Sequence, residues 1–305
     1  MDVLSDILKT IRLDAVVYFR KEFPQNWGMK IDESKYAQFH LVVSGNCWLG
    51  YKKNKKPLQL SSGDIILFIN GTPHFLADKL EPKKIVPGIK ILEAHKNHKK
   101  IFKNKNITTE LICGHFSFDR NINHPFLNEL PEMILISNKE RHQPSWLEMI
   151  TNVLIQETDS QLPGSSVVSQ RLAEALLIHI IRSYIEQQKN KNGFLFALND
   201  KQINNALKLL HNKPEYSWTI ENIARQIGMS RASFAAKFKE KVGTPPMEYL
   251  TSWRMQKAGI LLRETFEPLS IISEKVGYGS ESSFNKAFKR YYKNNPGSFR
   301  RESAN

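Results

Sequence analysis

Residues 218–240, WTIENIARQIGMSRASFAAKFKE, and residues 267–290, EPLSIISEKVGYGSESSFNKAFKR, carry one pattern twice. Ile220, Ile223, Ala224 and Ile227 of the first copy stand 49 residues ahead of Leu269, Ile272, Ser273 and Val276 of the second. Beyond the turn, Ser230, Phe234 and Phe238 stand 50 residues ahead of Ser280, Phe284 and Phe288, so the second turn holds one more residue. The apolar spacing predicts a short amphipathic helix before each turn, and Gly228 and Gly277 supply the positive φ at which a helix C-terminus closes. Ser230 and Ser280 then predict the start of a second helix, because a serine hydroxyl accepts a bond from a free first-turn amide. On those second helices the phenylalanines at i and i+4 share a buried face. The opposite face carries Arg231, Ala232, Ser233, Ala236 and Lys237 in the first copy, and Glu281, Ser282, Asn285, Lys286 and Lys289 in the second. Short polar and cationic groups on one helix face suit base edges and phosphates in a DNA major groove.

A small helical bundle with solvated faces would explain a single copy. Two copies with the same punctuation favour a pair of DNA-reading helix-turn-helix units, and charge agrees. Residues 197–305 hold 18 Lys and Arg against 10 Asp and Glu, a surplus of +8 within the whole chain's +14. A basic surface gains sequence-independent affinity by displacing the counterions condensed on DNA.

The ordered motifs are Ser230-Arg231-Ala232-Ser233-Phe234, Gly243-Thr244-Pro245, Arg254-Met255-Gln256-Lys257-Ala258, Val276-Gly277-Tyr278, Ser280-Glu281-Ser282-Ser283-Phe284, Ala287-Phe288-Lys289 and Pro296 followed by Phe299-Arg300. Together they resemble the DNA-binding domain of the AraC/XylS family of transcription regulators, over about a third of the chain. The resemblance implies a long joining helix over Pro246 to Glu264, so that one subunit reaches two successive major grooves. The family's base-reading positions fall on Ala232, Ala235 and Ala236 in the first unit and on Glu281, Ser282, Asn285 and Lys286 in the second. Alanines can touch a thymine methyl but form no bidentate hydrogen bond, so the first unit is expected to read weakly or by shape. Phosphate contacts are expected from Arg231, Lys237, Lys239, Lys286, Lys289 and Arg290, and base contacts from Ser233, Glu281, Ser282 and Asn285. The family further implies double-stranded DNA and RNA polymerase as partners and a role such as activator.

At 305 residues the chain has room for two or three domains, and 24% charged with 41% hydrophobic residues is an ordinary soluble composition. No run approaches the ~20 apolar residues of a membrane span. Asp2 and Asp6 stand where a secretory signal would be basic, so a cytoplasmic protein with no membrane partner is expected. Cys47 and Cys113 are too few for a disulfide framework.

Ahead of the helix-turn-helix units, residues 2 to 11 predict a short amphipathic helix that packs on the segment after it. From Asp14 to Phe118, short runs of Val, Ile, Phe, Tyr and Trp are broken by Gly, Pro, Asn and Lys. That rhythm predicts an antiparallel sandwich or barrel, with strands near 15–20, 38–43, 47–51, 57–60, 65–68, 73–77 and 110–118. Phe39-His40-Leu41-Val42-Val43-Ser44-Gly45, Gly63-Asp64-Ile65-Ile66-Leu67-Phe68-Ile69 and Gly71-Thr72-Pro73-His74 resemble a cupin barrel. Cupin enzymes hold a metal with two histidines two apart, a glutamate and a later histidine. Here His40 and His74 match the outer positions, but Val42 replaces the second histidine and Ser44 to Cys47 offers no carboxylate.

Strand alternation puts Cys113, His115 and Ser117 on one face, where Cys113 could meet His40 and His74. Three readings stay open there. Two imidazoles and a thiolate suit zinc, with His115, water or an effector in a fourth place; Cys113 could answer to oxidants; or all three residues could be hydrogen-bonded core. The effector itself is not named by the sequence.

The lysine-rich stretch from Asp78 to Thr109, with His95 and His98, reads as a surface loop. After Asp119 helices replace strands, and Trp146, Met149, Ile150, Val153 and Leu154 form one stripe. Val167 to Gln188 is apolar around much of its circumference, and its family counterpart forms the seam of a homodimer. The architecture expected is α+β and multidomain: a cupin-like antiparallel β-barrel sensor over 1–125, a helical dimerisation segment over 126–188, a linker over 189–196 and an all-α double helix-turn-helix domain over 197–305. The function expected is that of a sequence-specific transcription regulator, not an enzyme, whose barrel senses a small molecule, a metal or an oxidant. Its rival is a metal-dependent cupin enzyme fused to a DNA-binding tail.

Overall fold

A computed structural model describes residues 2–51, 56–82, 84–119, 122, 124–138, 146–160, 162–187 and 193–303. In chain order the elements are α1 (Val3–Thr10), β1 (Asp14–Pro24), β2 (Gly28–Ile31), β3 (Ala37–Tyr51), β4 (Leu58–Ser61), β5 (Ile65–Phe68), β6 (His74–Ala77) and β7 (Val86–Pro87). Next come α2 (Gly88–Lys96), β8 (Ile107–Ser117), α3 (Pro125–Glu129), β9 (Met133–Ile136), α4 (Trp146–Asp159) and α5 (Ser165–Gln187). The helical end comprises α6 (Phe194–Ala197), α7 (Lys201–Asn212), α8 (Ile220–Gln226), α9 (Arg231–Val242), α10 (Pro246–Glu264), α11 (Leu269–Lys275), α12 (Glu281–Tyr292) and α13 (Pro296–Ser303). These sort into two compact units. Met1–Arg12, Asp119–Leu130 and Gln188–Asn305 form a helical unit, and Leu13–Phe118 with Pro131–Gln187 form a β unit.

β3 organises the β unit. Its first half pairs with β8 and β5 and its second half with β4 and β6, so one strand serves both walls of a curled nine-stranded half-barrel. The change of direction falls at a pairing irregularity between Val42 and Ser44 and at Gly45, whose φ is +76°. A Cβ at Gly45 would stand 1.9 Å from the Thr108 carbonyl oxygen, so only glycine allows β3 to bend this close to β8. Phe19, Phe23, Trp27, Met29, Val42, Leu49, Ile66, Phe68, Leu76 and Leu111 fill the inside, each burial contributing ~1.5–3 kcal/mol.

The strands expected near 38–43 and 47–51 are one continuous strand, β3. β2, β7 and β9 were not foreseen; each has at most four residues and is held by a neighbour's open edge, β9 by that of β5. The surface loop expected between Asp78 and Thr109 contains α2, because Ile91 and Ala94 share a helical face that buries itself while the lysines stay out. α5 packs on α4, β1 and β9. Among the described side chains of the α4 stripe only Leu154 is buried, and Met149 is 69% exposed. The Trp146 side chain and the part of the expected linker over 189–192 lie outside the described residues. In the remainder of that linker Phe194 and Leu195 are fully buried in α6.

The helical unit also takes in the start of the chain. α1 packs on α7 and α10 instead of on the strands next to it in sequence, because its stripe of Val3, Ile7 and Ile11 is matched there and fully covered. Beneath it runs a buried polar chain. The Phe126 amide donates to His124 Nδ1 (3.0 Å), so His124 Nε2 carries the hydrogen and donates to the Tyr249 hydroxyl at 3.3 Å. Tyr249 in turn donates to His211 Nε2 at 2.6 Å. The far His211 nitrogen lies 3.6 Å from the Asp6 carboxylate, too long for a hydrogen bond, and burial lowers the His211 pKa, so a neutral ring stands beside the carboxylate. Ile7→Ala is expected to cost ~2–4 kcal/mol and to speed amide exchange in α7 and α10. Exchange altered only in β1 and β8 would contradict this placement of α1.

Candidate nucleic-acid interface and barrel site

Each helix-turn-helix turn is closed by the same two bonds. In the first, the Met229 amide donates to the Ala224 carbonyl (2.9 Å) and Gly228 to Arg225 (3.3 Å); in the second, Tyr278 donates to Ser273 and Gly277 to Glu274, both at 2.9 Å. This is the Schellman pairing, which requires the left-handed residue that Gly228 (φ +71°) and Gly277 (φ +81°) provide. Ser230 and Ser280 then cap α9 and α12 by accepting from the Ser233 and Ser283 amides, each at 3.2 Å. Phe234, Phe238, Phe284 and Phe288 are fully buried beneath. α10, which joins the units, has 19 residues and so runs ~28 Å at 1.5 Å per residue, comparable with the ≈34 Å helical turn of DNA.

On the outward faces, Ala232, Ser233, Ala236 and Lys239 of α9 are exposed, as are Glu281, Ser282, Lys286, Lys289 and Arg290 of α12. Arg231 is exposed and pairs with Glu221 at 2.8 Å. Ala235 is half-buried. Two expected contact residues turn inward. Lys237 is half-buried and held by Asp200 (2.8 Å) and Gln202 (3.0 Å), which tie α9 to the start of α7. Asn285 is half-buried, with its Oδ1 enclosed and without a donor.

In the β unit, β3 and β8 pair His40 with Cys113 and Gln38 with His115. His40 Nδ1 lies 3.0 Å from Cys113 Sγ, and His40 Nε2 lies 2.8 Å from His74 Nε2. His74 Nδ1 reaches the Thr72 carbonyl at 2.7 Å. Because a carbonyl only accepts, hydrogens can be assigned along the whole chain. His74 carries its hydrogen on Nδ1, His40 carries its own on Nε2, and the Cys113 thiol donates to His40 Nδ1. All three groups are therefore neutral. Burial lowers the His40 pKa well below the usual imidazole value, helped by His74, and lowers that of His74 to about 4. Burial likewise raises the Cys113 thiol, and takes Cys47 to about 12. His115 shares the face but sits between Tyr36 and Tyr18, with ring centroids at 4.2 and 5.1 Å.

A zinc ion needs lone pairs converging on one point at about 2.0–2.3 Å. Cys113 and His74 instead occupy opposite nitrogens of one ring, so this donor set does not fit the ion. Among the described residues, no group of three or more His, Cys, Asp or Glu side chains could hold a metal. Thr72 and Gln38 were missed in the sequence. Gln38 was legible, standing two residues before His40 on the same strand face.

The fold and these sites define a two-part protein: a cupin model matches residues 2–186 and a helix-turn-helix domain model matches residues 223–302. A putative AraC-like transcription regulator of Streptomyces antibioticus is 31% identical over 302 residues, 99% of each chain. The HTH-type transcriptional regulator AlkR of Acinetobacter baylyi is 30% identical over 307 residues, 99% of this chain and 100% of that one. MtrA of Neisseria gonorrhoeae, another HTH-type transcriptional regulator, is 30% identical over 311 residues, 99% of each. The chain belongs to the AraC family of transcriptional regulators. Among the described residues no helix is long and apolar enough to cross a membrane.

Proposed function

We propose that this chain is a cytoplasmic, sequence-specific regulator that binds double-stranded DNA as a homodimer, works with RNA polymerase, and answers to a small molecule held in its barrel. The observation that carries the reading is the pair of Schellman-closed turns, each followed by a serine-capped helix with a short polar outward face. Arg231, Lys239, Lys286, Lys289 and Arg290 are assigned to phosphates, and Ala232, Ser233, Ala236, Glu281 and Ser282 to base edges. Lys237 and Asn285 act by positioning, since both face inward.

Exposed Met149, Val153, Leu162, Val167 and Val168 on and between α4 and α5 support a second copy covering that surface. An organic signal is favoured over a metal or an oxidant because the His40 chain is neutral and its buried thiol carries little thiolate. An effector that prefers one arrangement of the barrel biases the dimer, and so biases how four helix-turn-helix units meet DNA. The barrel is read as non-catalytic, because both His40 nitrogens are already spent within the chain.

Lys286→Ala is expected to weaken duplex binding ~10-fold and to lower the salt dependence by about one charge. Fluorescence anisotropy across a salt series reads both effects. A wild-type slope in the variant would remove Lys286 from the footprint.

A further inference from the structure

The chain's charge sits in two places. Of its surplus of +14, residues 197–305 hold +8 and residues 78–109, with nine lysines and three carboxylates, hold +6, so the rest of the chain is balanced. Between Glu93 and Glu110 no acidic residue interrupts Lys96, Lys99, Lys100, Lys103 and Lys105, and all five lysines are exposed. Lys96 closes the last turn of α2, where a cation suits the helix dipole. The other four lie beyond the helix, and among the described residues none of them is in an ion pair.

Three of these lysines border an open groove of about 910 Å³ beside β1. Ile101 and Phe102 pack on the barrel core, and the Asn106 carbonyl accepts from the Gln25 amide at 2.7 Å. Lys100, Lys103 and Lys105 are therefore held along the groove, with little left to order when a partner arrives. Of the three carboxylates in the lining, Glu110 (2.7 Å) and Asp159 are both held by Arg20, which leaves Glu22. Lys21 is half-buried in the same lining, and burial lowers its pKa with no carboxylate to offset it. A desolvated ammonium without a counter-charge is costly, and an anion in the groove would supply one.

Spacing favours an extended anion over a small one. Lys100 to Lys105 spans at most ~18 Å of chain, and duplex DNA presents one phosphate charge per ~1.7 Å of its axis. A duplex lying along the row meets all of its lysines together, where a small anion would leave most of them unpaired. Lysine ammoniums, with Asn104 among them, donate to phosphate oxygens and read no base. A duplex is also the polyanion this chain meets, and two contacts carried on one chain raise each other's effective concentration. We propose that this face of the β unit is a second, sequence-independent DNA contact, in which Lys99, Lys100, Lys103 and Lys105, with Lys21 behind them, meet the phosphate backbone. The identity of the polyanion rests on the reading of the helical unit as a DNA binder.

Lysine acetylation of the full-length protein, read residue by residue by mass spectrometry with and without a long duplex of arbitrary sequence, tests this. Lys99, Lys100, Lys103 and Lys105 should react about threefold more slowly on DNA, while Lys35, beside the Ala37–Phe116 pair at the far end of β8, keeps its rate. Protection of Lys286 and Lys289 without the four would overturn the proposal and leave the helical reading standing. Protection of the four without Lys286 and Lys289 would support the groove and remove that reading. The Lys100→Ser, Lys103→Ser, Lys105→Ser triple variant alters exposed side chains only, and its salt dependence of duplex binding should be shallower by about two to three charges. A wild-type slope would overturn the contact. Phosphatidylglycerol vesicles or polyglutamate protecting the four lysines better than DNA at equal salt would overturn DNA as the partner.

Discussion

Phe288→Ala should unravel the second helix-turn-helix unit while leaving the first intact. Phe288 is fully buried and touches Tyr292, Phe299 and Phe284 at ring-centroid distances of 4.6, 5.3 and 5.6 Å. Those rings, with Ile272, Val276 and one side of α10, form a core that belongs to the second unit alone. Truncating a buried phenylalanine costs ~3–5 kcal/mol, much of what a unit this small can hold. Phe234 and Phe238 of the first unit pack on each other, with ring centroids at 5.5 Å, and do not share the lesion. Hydrogen exchange should show α11 to α13 losing protection while α8 and α9 keep theirs, together with loss of DNA affinity. Equal loss in both units would mean that they fold as one.

Acidification should destabilise the β unit through His74, by ~3 kcal/mol between pH 6.5 and 4. Inside the fold burial holds this imidazole at about 4, against 6.5 for the free group. The unfolded chain therefore binds a proton that the folded chain refuses, so unfolding takes one up throughout that window. The stabilising effect is whole above pH 6.5 and drains away as the pH falls towards 4. His40 is displaced in the same direction and shares a hydrogen bond with His74, so the two titrate as a pair. Urea midpoints at several pH values read the slope. His74→Leu should start less stable but lose close to one proton's worth of that slope. A wild-type slope in this variant would mean that His74 is not held neutral. In the helical unit His124, held near 3 by burial and by His211, adds to acid sensitivity with the same sign.

What the sequence disclosed was local. The glycine that ends α8, the serine that opens α9 and their counterparts around α11 and α12 act within six residues of chain, and all of them fold as their chemistry directs. Period-two alternation likewise groups Cys113 with His115 on one strand face, and the register of β3 on β8 brings that face to His40. It could not show that Cys113 and His74 take opposite nitrogens of one ring, because that depends on rotation about the side chain. Lys237 and Asn285 read as outward residues from helical spacing. Their inward turn depends on Asp200 and Gln202 of α7 and on the depth to which α12 sinks. β9 and the placement of α1 were invisible for a related reason: their partners lie far along the chain, and nothing in four or eight residues names them.

α1 therefore poses a problem of timing during synthesis. Its partner α7 begins at Lys201, nearly two hundred residues after Val3. At about 5–20 residues per second, a ribosome needs roughly 10–40 s to supply it. For that interval Val3, Ile7 and Ile11 form an apolar stripe without its native cover, and the β unit, which runs to Gln187, is itself completed only shortly before α7. Chaperones that recognise short amphipathic helices have a natural client in the nascent chain. The helical unit closes only when translation reaches α10, so a truncated product ending in the β unit would keep the apolar stripe of α1 uncovered.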